Sequence, residues 1–506
     1  MAANDDFIDS SNMSGFISVA ELEKTSSSME ESTSWESDVT NAKAERKLLL
    51  KIDFSLPKDV YPILFVIYML SFLDRINISN ARIQGLSEDL DISGNKFNIA
   101  LFIYFVPYIL LEVPSNMIIR KVRPSLYLSG LMFSWGIVNM CMGFVRSFQG
   151  LVVLRFLLGA AEAGVLPGII YLTSMYYKRH EFQLRMSCLF GSTLVGGAFG
   201  GLLAYAIARL AQPRGYKAWR WIFIIEGSAT AFIAIIAAFL IVDWPEQCRF
   251  LNAAEKDLLK RRLAEDGADC ARMDTLNKHA YKLIFRDWKI WLGSVIYMGL
   301  GTTGYATTFF MPTILNGFGW KAEDAQIRTI PIYAVSAVGM LIVAYLSDRC
   351  RHRYGFIMLG CSIATIGYGM LLHQISLSQD TKFAAVFLIS MGGNMATPMA
   401  LAWLSNNVSG HWKRAFSSGF QVTLGNFSGI IGTNIFLPSE APGYFTGYGA
   451  SLTMLWVGAI SATAMFVGLM IENRKRSAGK RNYRLARPDE YVKNMGDDHP
   501  SFRFTL

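Results

Sequence analysis

Apolar runs of about twenty residues recur from Val60 to Ile471, and this recurrence constrains the fold more than any other feature of the chain. A helix needs about 20 predominantly apolar residues to cross the hydrocarbon core of a bilayer. Within that core each backbone polar group must be satisfied by the chain itself, and a helix does this locally. Twelve candidate spans read at approximately 60–80, 97–119, 125–145, 150–174, 187–209, 220–242, 288–312, 329–347, 354–373, 383–405, 415–437 and 449–471. A cleaved leader or a single anchor cannot account for so many. Hydrophobic residues make up 52% of the 506 and charged residues 17%, with a mean hydropathy of +0.30, so the bilayer is the expected solvent.

The polar stretches divide the spans into two sets. Residues 1–55 open with a serine-rich acidic segment that buries too little apolar surface to fold, and a disordered cytoplasmic tail is expected there. Residues 56–242 hold six spans, 243–287 form the longest internal polar segment, 288–472 hold six more, and 473–506 close the chain with a second tail. The central segment contains a charged, helix-like stretch from Ala253 to Leu263. The expected fold is therefore an all-α membrane protein of twelve transmembrane helices in two six-helix halves, a plan common in transporters built from repeats.

The net charge of +9 invites a nucleic-acid reading, but the basic residues fall between spans. Arg120 to Arg123, Lys178 and Arg179, the central segment, Arg349 to Arg353 and Lys413-Arg414 share one side if the spans alternate, which places both termini in the cytoplasm. Arg214 and Lys217 are exceptions on the opposite side. The six cysteines form no CxxC pair, so neither a disulfide framework nor a zinc site is indicated. No HExxH, serine nucleophile elbow or metal cluster marks an enzyme, and no metal or cofactor is expected. The sequons at Asn12, Asn77, Asn407 and Asn426 lie in the tail or in spans and are not expected to carry glycans.

An ionised side chain near the bilayer centre costs about 2.5–3.5 kcal/mol on insertion scales, so its presence needs a partner or a task. The first span carries Asp74 and Arg75, and the fourth carries Arg155 and Glu162. The latter two are seven residues apart, which puts them on one helical face about 10 Å apart. One reading is structural: ion pairs that lock the first span against the fourth. The other is chemical. Burial disfavours an ionised carboxylate and a nearby guanidinium favours it, so Asp74 and Glu162 are candidates for proton coupling. Arg75 and Arg155 offer a planar donor fork suited to a carboxylate substrate.

Tyr104, Tyr108 and Glu112 recur every four residues in the second span, on one stripe. The tyrosines suit either substrate hydroxyl contacts or interhelical packing. Glu112 and Glu226 are read as gates or helix-end anchors. The second half is poor in ionisable residues and offers Tyr305, Gln421 and Asn426 as substrate contacts, although such an amide also serves to tie two helices together. The glycine-rich run from Gly191 to Gly201 is read as a close-packing helix surface.

Taken together, the motifs resemble the major facilitator superfamily, its anion:cation symporter family and, within that, the fungal allantoate permease group. The resemblance covers nearly all of residues 55 to 506. It rests on the Asp74-Arg75 run, Glu112-Val113-Pro114-Ser115-Asn116, Arg155 through Gly168, Trp219 through Gly227, Asp348-Arg349, Gly425-Asn426 and Ala441 through Tyr448. It implies proton-coupled uptake of a small organic anion, with Asp74 and Glu162 as coupling carboxylates, Arg75 and Arg155 as substrate or relay arginines, and Asp348 and Arg349 at a gating loop. The ending from Asp497 to Leu506 is similar to that of nicotinic acid transporter-like members, which implies a vitamin-like carboxylate such as nicotinate. Drug:proton antiporters of the superfamily carry a Gly-Pro motif in the fifth span, and here that stretch lacks proline. The alternative is an exporter of a small metabolite linked to a biosynthetic pathway. The expected partners are the substrate anion, protons and the lipid bilayer, with no nucleic acid. A monomer in the plasma membrane is the expected form.

Overall fold

The computed structural model describes Glu45, Leu48 and residues 60–119, 121–177, 179–209, 217–248, 250–268, 285–350, 352–409, 411–486 and 495–506. Apart from Glu45 and Leu48, the N-terminal tail expected to be disordered lies outside them. Residues Pro57–Leu506 form one compact unit. Its main helices are α1 (Val60–Ala81), α2 (Lys96–Phe102), α3 (Phe105–Ile119), α4 (Pro124–Met142), α5 (Phe148–Glu162), α6 (Val165–Ser174), α7 (Arg179–Arg209) and α8 (Ala218–Leu240). After them come α9 (Ala253–Ala268), α10 (Trp288–Gly317), α11 (Ala322–Cys350), α12 (Tyr354–Leu372), α13 (Gln379–Asn406), α14 (His411–Asn434) and α15 (Phe445–Ser477). The charged stretch of the central segment is thus helical, as α9.

Among the described residues, nine helical stretches are long and apolar enough to cross a membrane. They match the first, third to sixth, eighth to tenth and twelfth runs of the sequence. The second run (α2 with α3), the seventh (α10) and the eleventh (α14) complete the twelve-helix, two-half architecture. These three contain Glu112, Tyr305 and Asn426, and they meet at the seam between the halves.

Two runs expected to be continuous are broken. A proline removes one donor and clashes with the carbonyl four residues before it. Pro107 does this to Ile103, where α2 gives way to α3, and Pro167 does it to Ala163, where α5 gives way to α6. At the junctions the packing is close: a Cβ on Gly159 of α5 would lie 2.0 Å from the Tyr104 carbonyl oxygen. The two breaks therefore lie side by side and bring Tyr104 next to Glu162.

The seam between halves depends on small residues of α7. A Cβ on Gly201 would lie 2.8 Å from the Gln326 carbonyl oxygen, and one on Gly197 would lie 2.6 Å from the Tyr333 ring of α11. This is the close-packing surface expected from the glycine run. At one end of the seam Gln84 donates to Gln326 at 3.1 Å, and Asn98 donates to the Phe436 carbonyl at 3.0 Å.

At the opposite end the C-terminal residues fold back onto the second half. Asp497 is fully buried and accepts from Lys413 of α14 at 2.9 Å and from Lys289 of α10. The Thr505 carbonyl accepts from Trp403 of α13 and from Asn407 just after that helix at 3.0 Å each, and the Leu506 carbonyl accepts from the Arg353 backbone at 2.8 Å. Asn473 of α15 bonds both backbone groups of Phe504. Burial alone would raise the Asp497 carboxyl, but the two ammonium groups outweigh it and hold it well below the usual carboxylate range.

Candidate functional site

Successive residues on a helix point about 100° apart. Asp74 and Arg75 therefore address different neighbours. Asp74 faces α4 and α8, where it accepts from the Trp135 indole at 3.0 Å, the Asn139 amide at 2.7 Å and the Thr230 hydroxyl at 2.8 Å. All three donors are neutral. Arg75 faces α5 and the second half. Its Nη2 donates to Glu162 Oε2 at 3.1 Å and its Nη1 donates to the Tyr305 hydroxyl at 3.2 Å.

Glu162 Oε2 is the most heavily engaged atom of the site. Besides Arg75 it accepts from the Tyr104 hydroxyl at 2.6 Å and from Ser71 at 3.0 Å. Its other oxygen has no hydrogen-bond partner among the described residues. The Arg75 guanidinium also lies 5.0 Å from the Tyr104 ring centroid and 5.2 Å from that of Tyr108, a cation–π arrangement on two rings. Both tyrosines therefore contribute as ring faces, and Tyr104 adds a donor. Arg155 is buried, donates through Nη1 to the Arg75 carbonyl at 3.1 Å, and among the described residues has no hydrogen-bond partner for Nε or Nη2.

Beyond Arg75 the contacts cross the seam. Tyr305 donates to Asn426 Oδ1 at 3.3 Å, Asn426 Nδ2 donates to Glu112 Oε2 at 3.3 Å, and Thr423 donates to the same oxygen at 3.1 Å. A single chain of contacts thus runs from Glu162 through Arg75, Tyr305 and Asn426 to Glu112. Phe105 and Phe309 flank it, with ring centroids 5.1 and 6.1 Å from that of Tyr305.

The four intramembrane charges read from the sequence interact through space but are not joined by one set of direct contacts. Arg75 and Glu162 form a salt bridge, Arg155 meets them through a backbone carbonyl, and Asp74 makes its hydrogen bonds to α4 and α8 instead. Gln421 is not in the constellation. Its amide donates to the carbonyls of Gly293 and Ala400 and so ties α14 to α10 and α13. Glu112 and Glu226 are not helix-end anchors either. Glu112 lies within α3 at the seam, and Glu226 lies about two turns inside α8, buried against the Asn77 amide. Arg349 is exposed at the end of α11, and the Asp348 side chain lies outside those described. Sequence reasoning passed over Ser71, Thr423, Trp135 and Asn139. The last two sit four apart on one face of α4, a spacing that marks a shared target.

A twelve-helix bundle in two halves, with a buried salt bridge and polar contacts crossing between those halves, defines a membrane transporter. Residues 64–433 match the Major Facilitator Superfamily, and the chain belongs to that family. An uncharacterized transporter of Schizosaccharomyces pombe is 32% identical over 465 residues, covering 92% of this chain and 91% of that one. The high-affinity nicotinic acid transporter of Saccharomyces cerevisiae is 28% identical over 467 residues, covering 91% of this chain and 85% of that one. The crystal structure of a bacterial homologue of the human lysosomal transporter Spinster superposes with a TM-score of 0.61 at 16% identity. That match covers 81% of this chain and 96% of the other and shows the shared fold.

Proposed function

We propose that this transporter is a proton-coupled symporter of the anion:cation type, taking up a small organic anion, a vitamin-like carboxylate such as nicotinate, by alternating access. The observation that carries the reading is the Arg75–Glu162 salt bridge, with both side chains at 5% exposure or less. A substrate carboxylate needs the guanidinium that Glu162 already holds. A proton on Glu162 releases that guanidinium, and the incoming anion replaces the lost negative charge. Substrate and proton then favour each other's binding, as symport requires.

The residues divide accordingly. Arg75 is the primary receptor of the carboxylate, and the unpartnered donors of Arg155 are the second fork. Tyr104, Tyr108 and Tyr305 surround the guanidinium, and Asn426 lies one contact further out. Glu162 is the direct coupling carboxylate, and Asp74 is the other carboxylate assigned to proton exchange. The relative named as a nicotinic acid transporter supports a carboxylate of that kind. A monomer in the plasma membrane with cytoplasmic termini completes the proposal.

The test is uptake of labelled carboxylates, nicotinate included, by cells expressing the protein at acidic and neutral external pH, with and without a protonophore. Accumulation that rises with the inward proton gradient and collapses with the protonophore is expected. Uptake indifferent to the gradient overturns the proton coupling, and net efflux under the same gradient overturns the direction.

A further inference from the structure

Glu112 belongs to the first half, but the donors on its Oε2 come from the second: Thr423 and Asn426, both on α14. It is 4% exposed. The Asn426 amide that donates to Glu112 accepts from Tyr305, which in turn accepts from Arg75. Every donor in this chain points toward Glu112, so the polarity of the whole chain requires an acceptor at that end. An ionised carboxylate is the strongest acceptor available, and bonds to it are about twice as strong as those between neutral groups.

We propose that Glu112 is a coupling carboxylate of a second kind, a proton-released clamp between the two halves. Ionised, it holds α3 of the first half to Thr423 and Asn426 of α14. A proton on it turns two charge-assisted bonds into neutral ones and loosens the halves. Because Asn426 is shared, loosening Glu112 also frees Tyr305, one of the two hydrogen-bond acceptors of the Arg75 guanidinium. Protonation at the seam and release of Arg75 for an anion are thereby one linked event. The groups that interact electrostatically with Glu112 are the phenols of Tyr108 on α3, Tyr68 on α1, and Tyr297 and Tyr305 on α10. From α14 it meets the neutral Thr423 and Asn426, and the Arg75 cation reaches it through Tyr305.

The clamp rests on the proton-coupled reading for its role in transport, but it can be measured without transport. Val122, in the loop between α3 and α4, and Cys350, the last residue of α11, are exposed at the same end of the first and second halves. Spin labels on Val122→Cys and on the native Cys350, with the other cysteines replaced by serine, report the separation of the halves by pulsed electron resonance in nanodiscs. The otherwise unchanged protein is expected to shift toward the wider separation as pH falls from 8 to 5. Glu112→Gln is expected to show the low-pH distribution throughout, with the pH response reduced at least ten-fold. Thr423→Val, which spares the carboxylate, is expected to populate part of the low-pH form at neutral pH and serves if Glu112→Gln does not fold. A Glu112→Gln protein with the full pH response overturns the clamp, as does a parent protein whose separation ignores pH. If the Glu112-dependent shift appears while wild-type uptake ignores the proton gradient, the clamp stands and the symport reading fails. If uptake is proton-driven but Glu112→Gln responds as wild type, the clamp alone falls.

Discussion

Tyr104 donates to Glu162 at 2.6 Å across two membrane spans that are both broken by proline at that level. The contact depends on how close α5 comes to the α2–α3 junction, and Gly159 sets that approach. A Cβ there would lie 2.0 Å from the Tyr104 carbonyl oxygen, backbone that cannot step aside as a side chain does. In an open helix Gly→Ala is favourable by about 0.4–1 kcal/mol. Here Gly159→Ala is expected to have the opposite sign and to cost about 1–3 kcal/mol through overpacking. Thermal unfolding of the purified protein in detergent checks the sign, and an unchanged or raised Tm contradicts the close approach.

Asp74 tests a different kind of contact. Its three donors are neutral and buried, and Asn139 Oδ1 has no hydrogen-bond partner among the described residues. In Asp74→Asn the new NH2 can face a rotated Asn139 amide, whose oxygen then accepts from it. A loss of about 1 kcal/mol or less is expected. Asp74→Leu leaves all three donors buried without an acceptor, at about 1–3 kcal/mol each. Melting temperatures should therefore rank wild type and Asp74→Asn together, well above Asp74→Leu. The well-folded Asp74→Asn protein is then the right one in which to measure proton-driven accumulation, which is expected to fall if Asp74 exchanges protons.

The spans and their rare charges were legible because insertion energetics act on local composition, which any stretch of sequence displays. The direction of each charge was partly legible as well. Adjacent residues such as Asp74 and Arg75 cannot share a helix face, and that geometry already separates them. What lay beyond reach was partner choice across spans. Gln421 and Asn426 are both buried amides of α14, yet one serves backbone carbonyls and the other the seam. The difference depends on which neighbouring helix offers an unpaired acceptor, and that is fixed only once the halves pack. Pro107 and Pro167 were visible but were read inside continuous runs, although the carbonyl four residues before each proline marks the break.

Asp497 gives a prediction with a defined pH window. Its carboxylate is buried between Lys289 and Lys413, which Asp287 also pairs at 3.2 and 2.6 Å, so Asp497→Asn leaves two ammonium groups sharing the single carboxylate of Asp287. Removing the sole partner of a buried charge costs about 3–5 kcal/mol, and because Asp287 still pairs both ammonium groups the loss here is expected to fall below that range. The folded-state value of this carboxyl is depressed, so its contribution is fully present above the ordinary carboxylate range, near pH 3.9, and is lost as pH falls through the lower folded value. The Tm difference between wild type and Asp497→Asn should be flat from pH 5 to 8 and shrink only in stronger acid. A difference that titrates near neutrality would assign the contact to another group.

Arg75 and Glu162 separate binding from coupling. Lysine at position 75 keeps the charge but not the fork that reaches Glu162 and Tyr305 together, nor the planar face over Tyr104 and Tyr108. Arg75→Lys is expected to lower carboxylate uptake at least ten-fold, about 1.4 kcal/mol, at unchanged expression. Both uptake and counterflow should fall, because the substrate's own contact is weakened. Glu162→Gln is expected to differ. A neutral amide imitates the protonated carboxyl, leaves Arg75 open to the anion, and removes the site that must gain and lose a proton. Substrate counterflow should persist while proton-driven accumulation is abolished. Loss of both in Glu162→Gln, with the protein normally expressed, would mean that the salt bridge serves to hold α1 against α5 rather than to couple the two fluxes.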